Sequence, residues 1–97
     1  MDIKQLRQFE ALATKGSFTL AAKQLNIAQP ELSQGIKRLE ESLEVTLINR
    51  NKHYRGQDGS RLTLTAEGEA LAQHARLILK QVKQAEAHIK SMANLTK

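Results

Sequence analysis

The sequence predicts a mainly α chain: three short helices, a two-stranded β-hairpin and one long C-terminal helix. Three observations carry this reading. Apolar residues recur with the 3.6-residue helical period everywhere except over residues 45–64. Within that exception the pattern switches to alternation around a polar stretch holding Gly56 and Gly59. After Gly68, neither Gly nor Pro interrupts the chain.

In the first helix Ile3, Leu6, Phe9 and Ala13 fall on one face with Leu12 beside them, and Gly16 suits the left-handed position just past its end. Ser17 can cap a second, short helix running through Ala21, Ala22 and Leu25, which Asn26 can end. Ile27 packs inward from the turn. Pro30, the only proline, fits the first turn of a third helix, where its missing N–H costs nothing. Leu32, Ile36, Leu39 and Leu43 form the inner stripe of that helix; Glu31, Gln34, Lys37, Arg38 and Glu41 form its outer face. Val45, Leu47 and Asn49 then alternate with their neighbours, as do Leu62 and Leu64. Thr65 can cap the last helix, with Glu67 and Glu69 in its positive first turn.

Composition narrows the function. The 97 residues suit one domain, and the absence of Cys excludes disulfides, thiolate zinc sites and Cys nucleophiles. No apolar run reaches the roughly 18 residues of a membrane span, and Met1-Asp2-Ile3-Lys4 does not begin a signal peptide. The expectation is a cytoplasmic protein without a membrane role. The net charge of +5 is uneven: residues 1–44 are balanced, 45–65 carry +3 and 66–97 carry +2. The middle cluster reads either as a solvated loop or as a phosphate-binding element.

Thr19-Leu20-Ala21-Ala22-Lys23-Gln24-Leu25, followed by Asn26-Ile27-Ala28 and then Gln29-Pro30-Glu31-Leu32-Ser33, has the spacing of two helices joined by a tight turn. That arrangement can present a helix to the DNA major groove, or can be a helical hairpin with no nucleic-acid role. Further residues decide for the first. Gln5-Leu6-Arg7-Gln8-Phe9, Gly16-Ser17-Phe18-Thr19, Ala21-Ala22, Leu25, Gln29-Pro30, Leu32-Ser33, Ile36, Arg38-Leu39-Glu40 and Leu62-Thr63-Leu64-Thr65 with Gly68 cover essentially the whole chain. In this order the chain resembles the N-terminal winged helix-turn-helix domain of LysR-type transcriptional regulators.

The resemblance implies a winged helix-turn-helix DNA-binding domain over residues 1–65 and a linker/dimerisation helix over 66–97. It implies a bacterial, nucleoid-associated protein that binds double-stranded operator DNA as a dimer, with tetramers in a full-length form. The recognition helix would span about 29–42 in the major groove, with Gln29, Pro30, Ser33 and Gln34 facing it, and the wing about 46–64 on the backbone or minor groove. A Gln can bond adenine in a bidentate way, and Ser can reach a base or a phosphate. Ser33 can equally be a first-turn hydroxyl without a DNA role, and Gln29 can merely cap the helix. Ser17, Thr19, Lys37 and Arg38 join the expected interface, with Arg50, Lys52 and Arg55 as its wing cations. Arg61, on the returning strand, can instead pair with an acid.

Several residues depart from the family pattern. Ala28 stands where Ser or Thr often caps the recognition helix, Gln34 where Arg is frequent, and Glu44 where Gly commonly follows the helix. Gly35 costs roughly 1 kcal/mol in helix propensity and would allow close approach to DNA. Glu31 favours the helix dipole but opposes phosphates. The wing tip, Asn51 to Ser60, is longer than usual.

In the last helix Leu71, Ala75, Ile78, Val82, Ala85, Ile89 and Met92 recur at spacings of 4, 3, 4, 3, 4 and 3, an uninterrupted heptad seam. Residues 1–65 are too few to cover a helix of about 40 Å, so the far half is expected to meet a second chain. In the resembled family that pairing is antiparallel, and a symmetric dimer would suit a palindromic operator. His74 and His88 are about 21 Å apart along one helix and cannot share a metal within it. No carboxylate pair, nucleophile–base combination or phosphate-cradling Gly motif occurs; no enzyme, cofactor or metal is expected. A protein-interaction module built on the heptad helix, and a nonspecific DNA binder of another winged-helix family, are the competing readings. Ninety-seven residues suit a DNA-binding head without an effector-binding domain, either excised or naturally short.

If the wing touches phosphate, Arg55→Ala lowers affinity for every DNA sequence and flattens the salt dependence of binding. Unchanged affinity and slope in a mobility-shift titration would remove the wing from the interface.

Overall fold

A computed structural model of the chain describes residues 1–49 and 61–95, which form four helices: α1 (Ile3–Lys15), α2 (Phe18–Leu25), α3 (Gln29–Leu43) and α4 (Ala66–Leu95). Each boundary has a local cause. Asp2 opens α1 with a capping box: the Gln5 amide donates to its carboxylate (2.8 Å) while its own amide donates to Gln5 Oε1 (3.2 Å). Ser17 Oγ accepts the Leu20 amide at the start of α2. At the start of α4, Thr65 Oγ1 accepts the Gly68 amide and donates to the Thr46 carbonyl. Only Ala28 gives α3 no side-chain cap; its carbonyl accepts the Glu31 and Leu32 amides instead. Gly16, Asn26 and Glu44 end the first three helices in the left-handed region, with φ of 68°, 58° and 57°. Asn tolerates this conformation; Glu44 does not gain from it, but its amide donates to the Glu41 carbonyl there.

α1 lies at the centre and touches the other three helices. Phe9 and Leu12 from α1, Leu32, Ile36 and Leu39 from α3, and Leu47 and Ile48 after it are fully buried together. Ala21, Ala72 and Ala75, also fully buried, let α2 and the first turns of α4 approach this cluster closely. Leu71 packs at its edge.

The expected hairpin is reduced among the described residues to one antiparallel bridge, between Ile48 and Leu64. Two ladder bonds flank that bridge: the Asn49 amide donates to the Thr63 carbonyl (3.1 Å) and the Thr65 amide to the Leu47 carbonyl (3.0 Å). The Leu47 and Ile48 amides donate to the buried Glu40 carboxylate (2.7 and 3.4 Å), and the Leu62 amide donates to the Gly16 carbonyl. Strict alternation fails here: Leu47 and Ile48 are both buried, while Asn49 is exposed and ties its carboxamide to Thr63 and Leu64. Arg50, Lys52 and Arg55 and the rest of the expected wing tip lie outside the described residues.

Gly35 has a different role from the one expected. It faces α1, not outward: a Cβ there would run into the Gln8 carboxamide, itself buried. Gly68 has still less room, since a Cβ would meet the Leu47 carbonyl and the Leu64 Cβ. Backbone yields less readily than the end of a flexible side chain. Gly68→Ala is therefore expected to lose about 2–3 kcal/mol of stability. Gly35→Ala should lose less than about 1 kcal/mol, because helix propensity offsets part of the clash. Urea denaturation of both variants checks the order; a reversal would contradict the packing described.

Candidate nucleic-acid interface

The helical period decides which side chains α3 offers. Leu32, Ile36 and Leu39 point into the core, so Pro30, Ser33, Gln34, Lys37, Arg38 and Glu41 fall together on the opposite face, all exposed. Arg38 Nη2 donates to Gln34 Oε1 at 3.4 Å, one turn apart, which orients both groups along the same ridge. The face thus offers a hydroxyl, a carboxamide, an ammonium and a guanidinium, with the Glu41 carboxylate at its far end. Such a set has the donors and acceptors that base edges and phosphates require.

The second helix adds to the same edge. Exposed Thr19 donates its hydroxyl to Gln29 Oε1 at 3.1 Å, joining the first turn of α2 to the first residue of α3. Gln29 therefore does not cap α3; its oxygen is engaged by Thr19 and its amide nitrogen remains available as a donor. Ser17 is half-buried and occupied as the α2 cap. The turn Asn26–Ala28 fixes the angle between the helices through the packing of Leu25 and Ile27 on the core.

Two anchoring residues could not be placed from sequence. Glu40 lies on the core side of α3 and holds the chain that leaves it. Arg61 pairs with no acid in the described bonds: its Nη2 donates to the Ala13 and Thr14 carbonyls (3.2 and 2.9 Å), satisfying acceptors at the C-terminal end of α1. Its side chain fills the space that a Cβ on Gly16 would need. No local pattern marks either residue, since the partners of Arg61 are 47 and 48 positions away.

The family model described as "Bacterial regulatory helix-turn-helix protein, lysR family" matches residues 3–69. The chain belongs to the LysR family. The HTH-type transcriptional regulator BsdA of Bacillus subtilis (strain 168) is 39% identical over 92 residues, covering 95% of this chain but 30% of BsdA. Among solved structures, the BenM_DBD/benA site 1 DNA complex superposes with a TM-score of 0.85 at 38% identity, covering 96% of this chain and 97% of that one. The CbnR_DBD–DNA complex gives 0.80 at 31% identity, covering 96% and 99%. The LysR-family chain thus spans less than a third of the length of curated relatives such as BsdA, and almost all of the DNA-complexed domains.

Arg61→Met should lower the thermal unfolding midpoint by about 4–8 °C, as a loss of about 1 kcal/mol would in a domain of this size. An unchanged midpoint would show that the guanidinium does not anchor the end of α1.

Proposed function

We propose that this chain is a DNA-binding head of a transcriptional regulator, reading double-stranded operator DNA in a sequence-specific way as a homodimer. The observation that carries this reading is the exposed polar face of α3 on a fold that matches, at 38% identity and a TM-score of 0.85, a domain solved on DNA. α3 enters the major groove. Gln29, Pro30, Ser33 and Gln34 meet base edges, while Ser17, Thr19, Lys37 and Arg38 position the head on the phosphates. The wing, about residues 46–64, lies on the backbone or minor groove through Arg50, Lys52 and Arg55. A DNA partner implies a cytoplasmic site of action; among the described residues no helix is long and apolar enough to cross a membrane.

The dimer forms through the α4 seam. The near part of the seam serves the chain's own domain: Ala75 is fully buried and Leu71 packs on the core. Ile78 and Val82 are half-covered, whereas Ile89 and Met92 are 62% and 52% exposed. An exposed apolar stripe continuing a buried one in the same heptad register suits a second α4 running antiparallel: of the expected seam, Leu71 and Ala75 face the chain's own core, leaving Ile78, Val82, Ala85, Ile89 and Met92 for the partner. Two heads related by a two-fold axis would read a palindromic operator.

Mobility shifts at increasing salt, with operator and scrambled DNA, test the reading. Lys37→Ala should weaken binding to both DNAs and reduce the salt slope by about 1.8, about 0.9 for each head of the dimer. Ser33→Ala and Gln34→Ala should instead narrow the gap between operator and scrambled DNA, by about 1–3 kcal/mol for a lost bidentate pair. Equal wild-type affinity for the two DNAs would overturn sequence-specific recognition.

A further inference from the structure

A trough runs between α1, the end of α2 and α4, made of two clefts that share Arg7 and Leu25. The larger, of about 390 Å³, is rimmed by Arg7, Arg76, Lys80 and Lys83 over a floor of Leu25 and Leu79. The smaller, of about 320 Å³, continues past Arg7 to Lys4 and Ile27. Leu25, Ile27 and Leu79 are half-buried, so the trough shows aliphatic surface between exposed cations. Among the described residues α4 packs on α1 and not on α3, and no residue of α3 lines either cleft.

The charge follows from helical spacing. Arg76, Lys80 and Lys83 stand four and three residues apart, on one ridge of α4, and Arg7 lines the same cleft from α1. None of the four is bonded to a carboxylate among the described residues. Glu10, the one acid among the described lining residues, accepts the Thr14 hydroxyl at 2.8 Å. Ile78, Ala85 and Met92 of the seam fall on the far side of α4 from this ridge. A second helix on the seam would therefore leave the trough open.

We propose that this trough docks an acidic amphipathic helix of another protein. Its apolar side chains would rest on Leu25, Ile27 and Leu79, and its carboxylates would meet Arg7, Arg76, Lys80 and Lys83. The cations steer the encounter and fix the orientation, while the floor supplies contact area. A nucleic-acid backbone matches the charge but leaves the aliphatic floor unused, and a small anion needs only one of the two clefts. Neither the dimer nor the DNA contacts of α3 are required for this docking.

The test titrates the isotopically labelled chain with a synthetic helical peptide of Leu-Glu-Glu-Leu-Leu-Glu-Glu repeats, followed by NMR and calorimetry. The peptide should shift the amides of Arg7, Gln24, Leu25, Leu79 and Lys83 and leave those of Ser33, Gln34 and Lys37 in place. Lys80→Glu combined with Lys83→Glu, both at exposed positions, should weaken the peptide about tenfold without loss of helicity by circular dichroism. A polyglutamate peptide of equal charge should bind at least about tenfold more weakly than the amphipathic one. Shifts centred on α3, unchanged affinity of the double variant, or equal binding of polyglutamate overturns the docking site. Equal shifts of the trough amides with scrambled duplex DNA overturn it in favour of nucleic acid. Trough amides that move on dilution of the chain alone overturn it in favour of a second copy.

Discussion

The peptide group of Leu47 joins the parts of this molecule that have to act together. Its N–H donates to the carboxylate of Glu40, which belongs to α3. Its carbonyl accepts the Thr65 amide at the entrance to α4 and lies where a Cβ on Gly68 would have to go. A buried carboxylate left without donors is costly, and so is a buried amide without an acceptor, so neither side of this junction can move alone. α3, the Leu47–Ile48 segment and the start of α4 are consequently held in one frame.

That frame explains how so small a domain holds α3 with one face outward. α3 contributes its inner stripe to the core, and its outer face is left exposed because α1, α2 and the Leu47–Ile48 segment pack on the inner side. Small residues set the distances: Gly35 admits the Gln8 carboxamide, Ala72 and Ala75 bring α4 onto the core, and Gly68 admits a carbonyl. The Thr19–Gln29 bond then links the two helices on the exposed edge without drawing on the core. α4 leaves this frame as a helix of 30 residues, about 45 Å long, and outruns the domain that supports its first turns. The heptad stripe is therefore divided: its first part packs on the chain's own core and its last part stays exposed.

Helix existence and register were legible in the sequence, because the period of apolar residues and the capping chemistry of Ser17 and Thr65 act within a few residues. So were the left-handed ends at Gly16 and Asn26. The exposed face of α3 followed from the same periodicity, which is why Ser33, Gln34, Lys37 and Arg38 lie together as expected. Of the hairpin, the described residues hold only the base, the antiparallel bridge between Ile48 and Leu64, where strict alternation fails because Leu47 and Ile48 are both buried. Arg61 looked like a surface cation free to meet an acid, and Gly35 like a point of approach to DNA; in both cases a distant part of α1 supplies the neighbour.

By itself the sequence determined four helical segments, the polar face of the third and the continuous stripe of the fourth, since each depends on spacing along one helix. Only the tertiary structure decided how Glu40, Arg61, Gly35 and Gly68 are used, because their partners come from other elements and no local rule specifies them. It also decided how the stripe divides, with Ala75 buried against the chain's own core and Ile89 and Met92 left exposed. A heptad pattern states that a surface is apolar; the extent of the neighbouring domain determines how much of it remains for another chain.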